Sequence, residues 1–312
     1  MLASALDHYA RQQRITAKAL IAARRARWGT LARLTAIVTT FQIVAAKDAA
    51  QSSPLMLAEQ GIDTDMAGAV VPSALAGVAS DGRLLESLLD LTRLPDATEV
   101  MFDRIITTQI QDAARGAGSV AVAATPAVTG YVRMLNPPSC SRCAVLAGRE
   151  YKWNTGFDRH PGCDCRHVPV DEDTADDLRT DPVAYFRSLP TAEQLREQYP
   201  DLTVAMRRDA GLFSQEDVFT KAGAQAIRDG GNIGQVVNAR RGMSKAASGR
   251  LERRNVFGQD IATTTEGMTR RGSARRSRGK AAVRLMPESI YDIADGDRAE
   301  ALRLLKVHGY IT

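Results

Sequence analysis

Aromatic side chains are scarce in this chain of 312 residues, at 5% of the total, whereas alanine is abundant. This mixture favours helices packed through small side chains and disfavours a β-sandwich. Long apolar runs are also missing. The segment from Leu34 to Ala46 is uncharged but too short to cross a bilayer, and the segment from Gly116 to Val132 is weakly apolar. We therefore expect no membrane span.

A secretory signal is not visible at the N-terminus, because Asp7, His8, Arg11 and Arg14 interrupt any early apolar run. We expect the chain to be present in a cytosol, where paired thiols hold metal more often than they form disulfides.

Catalytic motifs are missing as well. The sequence holds neither G-x-S-x-G nor H-E-x-x-H. The stretch from Gly272 to Lys280 is not a phosphate-binding P-loop, because Ala281 replaces the Ser or Thr that contacts Mg²⁺. No small-molecule substrate is indicated, and an enzyme is the less favoured interpretation. A Ser/His protease stays open, since sequence spacing cannot show whether a serine lies beside a histidine.

The first 125 residues predict an elongated N-terminal helical domain. Apolar side chains recur at spacings of three, four or seven through the first fifty residues. This pattern indicates one long helix or two in tandem, ended by Pro54. A short helix around 84–92 follows, and then a longer one from about Thr98 to Ala124.

From Gly130 onward the apolar period changes to that of short strands. We expect a fold that is mainly α with a small α+β module, in which a small antiparallel sheet is clipped at its loops by cysteines. The predicted strands are 131–135, 150–153 and 165–170, and the predicted later helices are 191–198 and 215–241. The chain after residue 125 then divides into a Cys/His module with its following helices (126–242), a basic flexible linker (243–284) and a short helical C-terminal element (285–312).

All four cysteines and two of the four histidines lie between Cys140 and His167, in C-S-R-C, sixteen residues, and then H-P-G-C-D-C-R-H. Thiolate and imidazole bind borderline-soft metals, and two such corners supply the four donors of tetrahedral Zn²⁺. The candidate ligands are Cys140, Cys143, His160, Cys163 and Cys165.

Three interpretations of this cluster stay open. One is a structural zinc, with Cys140 and Cys143 facing ligands from the second corner. Another is a small loop pinned by thiols or disulfides without metal. A catalytic zinc is disfavoured, because five candidate donors leave little reason for an open coordination position. We expect His167, which continues the alternation of Cys163 and Cys165, to be a surface or packing residue.

The same motif resembles the C-terminal module of the phage Mu F-type minor head proteins, over about thirty residues. That family has C-x-x-C followed by leucine and glycine, then H-P-x-C-x-C and proline. The matching positions are Cys140, Cys143, Leu146, Gly148, His160, Pro161, Cys163, Cys165 and Pro169. Asp164 stands where the family often has arginine, which leaves the cysteine spacing unchanged. The helical N-terminal half and the basic tail also resemble minor head proteins of actinobacterial tailed phages.

A basic segment is the second marked feature. Residues 240–284 carry thirteen Lys or Arg against three carboxylates, whereas the whole chain has a net charge of +5. Such blocks bind nucleic acid through phosphates without reading its sequence, or order on an acidic protein partner, or stay as a solvated linker. The candidate contact residues are Arg270, Arg271, Arg275, Arg276, Arg278 and Lys280. Residues 219–241 have a helix-turn-helix outline, but apolar residues in its second helix favour core packing over DNA reading.

The resemblance implies a structural minor capsid protein of a tailed phage. In the virion it would lie inside the head near the portal and contact the portal, other capsid proteins and packaged DNA. It would take part in head assembly or DNA ejection, and it would be in the host cytoplasm during assembly. Some relatives are labelled capsid maturation proteases, so proteolysis is the alternative. A zinc-containing nucleic-acid-binding protein is the second alternative.

Overall fold

The structure, a computed structural model, describes residues 2–135, 139–155, 165–171, 181–243, 251–256, 258–267 and 284–311. The chain divides into two compact units. Unit 1 comprises Met1–Pro137 and Ala147–Thr180, and unit 2 comprises Pro138–Leu146 and Asp181–Thr312. The described residues of the predicted Cys/His module between 147 and 171 therefore belong to the unit of the N-terminal helices, and its C-x-x-C corner belongs to the unit of the helices that follow.

Unit 1 is built on three long helices that pack through alanines. Its described helices are α1 (Ala3–Ala26), α2 (Leu31–Glu59), α3 (Leu85–Asp90) and α4 (Glu99–Ala124), with 3-10 turns at Pro72–Leu75 and Leu91–Arg93. Ala23 of α1 and Ala45 of α2 are fully buried, as is Phe102 of α4. Small side chains let the helix axes approach closely, so larger residues of α4 fill the remaining space. The prediction of helices packed through small side chains is confirmed.

Helix α2 continues through Pro54 to Glu59, so the prediction that Pro54 ends the helix is wrong. Proline removes one backbone donor from the helical ladder. The hydroxyl of Ser53 donates to the carbonyl oxygen of Ala49 at 3.1 Å in the turn before it. Beyond the proline, Met56 and Leu57 are 3% and 2% exposed. Burial of these two side chains in the core stabilises the last turns against the loss of one hydrogen bond.

A three-stranded antiparallel sheet completes unit 1, as predicted. The strands are β1 (Gly130–Met134), β2 (Glu150–Lys152) and β3 (Arg166–Val170), in the order β2-β1-β3. The central strand is buried on both faces. Val132 packs with Met56 of α2 on one face, and Tyr131 packs with Val122 and Ile62 on the other. The sheet is thus part of the helical core.

The described part of unit 2 contains short helices and two pairs of short strands. Its described elements are α5 (Ser141–Ala144), α6 (Pro182–Ser188), α7 (Ala192–Gln198), α8 (Val204–Asp209), α9 (Gln215–Phe219), α10 (Lys221–Arg228), α11 (Ile233–Ala239), β4 (Arg254–Val256), β5 (Gln259–Ile261), β6 (Thr263–Thr264), β7 (Arg284–Leu285), α12 (Pro287–Ala294) and α13 (Arg298–Val307). Its core joins α10, α11, α12 and α13 around the fully buried Met286, Ile290 and Tyr310.

Part of the segment predicted to be a flexible basic linker forms strands. β4 pairs with β5, and β6 pairs with β7 from the far end of the segment. Ala262 between these pairs is fully buried. Its N–H donates to the hydroxyl of Ser289 at 2.6 Å, and its carbonyl oxygen accepts from the N–H of Met286 at 2.9 Å. Backbone hydrogen bonds to α12 therefore hold these residues in place, although the charged residues around them favour a solvated chain.

Within the described ranges, no helix is both long enough and apolar enough to span a membrane.

Candidate functional site

The C-S-R-C corner (residues 140–143) forms a single helical turn in unit 2. Cys140 is its N-cap residue, and its carbonyl oxygen accepts from the N–H of Ala144 at 3.0 Å. Positions three apart on a helical turn lie on the same side, so the two cysteine side chains are neighbours. Cys143 is 2% exposed and Cys140 is exposed. One thiol thus lies in the packed interior and the other lies at the surface.

A tyrosine hydroxyl holds the start of this turn. The N–H of Ser139 donates to the hydroxyl of Tyr185 at 2.9 Å, and that hydroxyl donates to the carbonyl oxygen of Ser139 at 2.8 Å. Tyr185 belongs to α6 and is 6% exposed. α5 packs on α6 and α11, so the position of the two thiols is set by the core of unit 2.

The second corner is described only at its end. Cys165 lies in unit 1 directly before β3, is fully buried, and its carbonyl oxygen accepts from Nε of Arg115 at 3.3 Å. His160 and Cys163 lie outside the described residues. Among the residues that the structure does describe, no group of three or more His, Cys, Asp or Glu side chains is close enough together to hold an ion. Two of the five candidate ligands, His160 and Cys163, are not among these described residues.

The donor chemistry of the described thiols is compatible with zinc. A C-x-x-C pair on one helical turn, with one thiol accessible, is a common half of a tetrahedral site.

His167 packs in the sheet, as expected. Its ring stacks on that of Tyr131 with centroids 4.3 Å apart, and Tyr131 stacks in turn on Tyr151 at 5.5 Å. Its Nδ1 lies 3.4 Å from the hydroxyl oxygen of Ser119 on α4, which is a Ser/His contact of the kind a protease requires. The cavity beside His167 measures about 20 Å³, however, enough for one water molecule and far too small for a peptide. The contact is therefore a packing contact between α4 and β3.

A buried ionic network between α1 and α2 was not predicted from the sequence. Asp48 accepts from Nδ1 of His8 at 2.7 Å, from Nε of Arg11 at 2.5 Å and from Nε2 of Gln12 at 2.9 Å. Burial raises the pKa of Asp48, but the three hydrogen bonds outweigh it and lower that pKa to about 2. Burial lowers the pKa of His8, against the opposing effect of its bond to Asp48. The network fixes the pairing of the two helices.

The candidate DNA contacts from Arg270 to Lys280 lie outside the described residues. The helix-turn-helix outline is described, as α10, a turn and α11. Ile233, Val236 and Val237 of α11 are 9% exposed or less. The prediction that this helix packs in the core is confirmed.

Comparison with known protein families gives a match. A model of the VG15 protein family matches residues 2–192, which include α1 to α6, the three-stranded sheet and both cysteine corners. Neither the curated proteins nor the solved structures contain a match to the chain.

Proposed function

Because the chain belongs to the VG15 protein family, it is a phage virion-related protein, and we propose that it is a structural minor head protein of a tailed phage. In this proposal it lies inside the capsid near the portal, contacts the portal and other capsid proteins, and takes part in head assembly or DNA ejection. It occupies the host cytoplasm while heads are assembled.

The family match carries this proposal, since residues 2–192 include the whole motif that resembles the Mu F-type minor head proteins. The fold adds support of a general kind. A helical core tied together by a buried ionic network suits a structural role, and the one described Ser/His contact has no space for a substrate beside it.

The location is tested on purified virions of the phage that encodes the chain. We expect the chain in intact heads, protected from added protease, and digested once the heads are opened by chelation or heat. The portal protein and an external tail protein are the internal and external controls. Absence from both virions and proheads would overturn the proposal. Loss of scaffold cleavage in a Ser119→Ala phage would instead favour the protease alternative.

We further propose that Cys140 and Cys143 hold a structural zinc with two donors from His160, Cys163 and Cys165. Thiolates bind zinc tightly, and such a site contributes folding energy directly. The test is the metal content of the purified full chain by mass spectrometry. We expect one zinc per chain, lost in a Cys140→Ser, Cys143→Ser variant and kept in Ser141→Ala, which changes the same turn without removing a thiol. Freshly reduced protein without metal would refute the site.

The six basic residues at 270–280 are proposed to contact packaged DNA through its phosphates. Charge neutralisation of this kind gives binding that weakens steeply with salt. Glutamine at Arg270, Arg271 and Arg275 should weaken binding to duplexes of any sequence and flatten its salt dependence. Glutamine at Arg14, Lys18 and Arg25, which are exposed on α1, is the matched control and should leave both unchanged. If the two triple variants lowered the affinity for DNA equally, residues 270–280 would not be a dedicated DNA-binding segment.

A further inference from the structure

Unit 2 contains a cavity of about 1230 Å³ that the cysteine motif does not line, and all of its lining residues except Thr191 and Ala192 lie beyond the family match. Its walls come from α7, α8, α9, α10 and α12. The volume is sufficient for a small organic ligand or for the end of a polymer chain.

The cavity lining holds five cations and five carboxylates, but two arginines that pair with these carboxylates, Arg208 and Arg240, lie outside the lining, so seven cations face five carboxylates. Four of its five carboxylates are paired with arginines: Glu216 with Arg228, Asp217 with Arg208, Glu288 with Arg240 and Asp292 with Arg253. Arg196, Arg207 and Lys221 also line the cavity, and none of them has a carboxylate within 4 Å among the residues that the structure describes. The remaining carboxylate, Glu193, cannot balance three cations, so the cavity favours an anion.

Arg207 is the central observation. It is 8% exposed, yet its described hydrogen bonding is a single bond, from Nη1 to the carbonyl oxygen of Leu195 at 3.3 Å. A guanidinium has five N–H donors in a planar fork that fits the oxygens of a phosphate or carboxylate. A buried cation without a counter-ion is costly in a folded protein. An anion in the cavity would satisfy both the charge and the remaining donors.

The N-terminus of α10 opens onto the same cavity. Thr220, Lys221 and Ala222 line it, and the hydroxyl of Thr220 accepts from the N–H of Gly223 at 3.3 Å. The first N–H groups of a helix have no helical carbonyl to bond, and they carry partial positive charge. Phosphate groups are commonly held at such a position.

We propose that this cavity is a binding site for a phosphate group, held by Arg207, Lys221 and the N-terminal turn of α10. The phosphate would belong to a mononucleotide or to the end of a DNA strand, and both present the same terminal group. A tetrahedral dianion fits three cations and a helix N-terminus better than a single carboxylate does.

The test is calorimetric titration of the full chain at constant ionic strength, with inorganic phosphate, a mononucleotide, and a short DNA strand with or without a 5′-phosphate. We expect binding of phosphate and tighter binding of one of the two nucleotide ligands. A mononucleotide preference identifies a small-molecule site, and a dependence on the 5′-phosphate of the strand identifies a DNA end. An acidic peptide that binds while all phosphate ligands fail would overturn the proposal.

Two variants and a control complete the test. Lys221→Gln should weaken phosphate binding about two- to fivefold, as an exposed charge does, and Arg207→Gln should abolish it. Lys306→Gln removes another exposed helical lysine of unit 2, away from the cavity lining, and should change nothing. Arg207→Gln can also unfold unit 2, so the thermal unfolding of this variant is measured in parallel. Lys221 is exposed, so Lys221→Gln tests the site even if Arg207→Gln does not fold. Equal affinities of Lys221→Gln and Lys306→Gln would refute the site.

Discussion

Replacing Arg284 by methionine tests whether one buried guanidinium holds the C-terminal part of unit 2 together. Arg284 is 1% exposed. Its Nε donates to the carbonyl oxygen of His308 at 3.0 Å, Nη1 to that of Glu266 at 2.8 Å, and Nη2 to Oε1 of Gln235 at 3.1 Å. The guanidinium also lies 4.1 Å from the ring centroid of Tyr310. The side chain thus joins α11, β6, β7 and the end of α13.

The expected cost follows from these contacts. Hydrogen bonds to a charged group contribute roughly 1.5–3 kcal/mol each, and acceptors left buried without a donor add to the loss. Burial lowers the pKa of Arg284, which means that the charged form is already desolvated at a cost, and methionine removes that cost. With three bonds lost and the desolvation regained, we expect a net decrease of about 3–5 kcal/mol in the free energy of unfolding.

The measurement is urea unfolding followed by far-ultraviolet circular dichroism, with hydrogen exchange of α12 and α13 as a local readout. Arg303→Met is the matched control, because Arg303 is exposed and, among the residues that the structure describes, pairs with Glu300 one turn away on α13. Arg303→Met should lower the free energy of unfolding by no more than about 0.5 kcal/mol. A decrease in the free energy of unfolding no larger for Arg284→Met than for Arg303→Met would contradict this prediction, as would unchanged hydrogen-exchange protection of α12 and α13.

Three further predictions concern stability. Folding lowers the pKa of Asp48 from 3.8 to about 2, so the ionised carboxylate stabilises the fold above pH 3.8 and this stabilisation is lost as the pH falls toward 2. Over that range the urea midpoint should fall by the equivalent of about 2 kcal/mol. Asp48→Asn should lack this dependence of the urea midpoint on pH. Gly130→Ala places a Cβ in steric overlap with the carbonyl oxygen of Tyr151, so it should lower the melting temperature by the equivalent of about 1–3 kcal/mol. Gly118→Ala, where a Cβ meets open space, should not. Thr220 has φ +68, so Thr220→Gly should be about 1 kcal/mol more stable than Thr220→Ala in urea unfolding, and the reverse order would exclude strain.

The helical core of unit 1 could be predicted because its signals are local. Thr98 caps α4 through a bond from the N–H of Met101, and this type of residue before an apolar period marks a helix start. The continuation past Pro54 could not be predicted, since it depends on the burial of Met56 and Leu57 by other elements. Tertiary burial outweighed a local signal there.

The short helices α6 and α8 were missed, although their caps are visible in the sequence. Asp181 followed by Pro182 begins α6, and the hydroxyl of Thr203 caps α8 by accepting from the N–H of Met206. Each helix has too few residues to show a clear apolar period. At the site, the hydroxyl of Tyr185 that holds Ser139 is 46 residues away in the sequence, so this contact could not be predicted.

The pairing of β6 with β7 fixes both ends of the basic segment at one place. Thr263 pairs with Leu285, and Arg284 binds the carbonyl oxygen of Glu266, so the described residues on either side of 268–283 lie at neighbouring points of unit 2. Bringing two points of a chain together costs loop-closure entropy whatever path the residues between them take. The β6–β7 pairing and the bonds of Arg284 therefore offset an entropic cost of folding in addition to stabilising the core of unit 2.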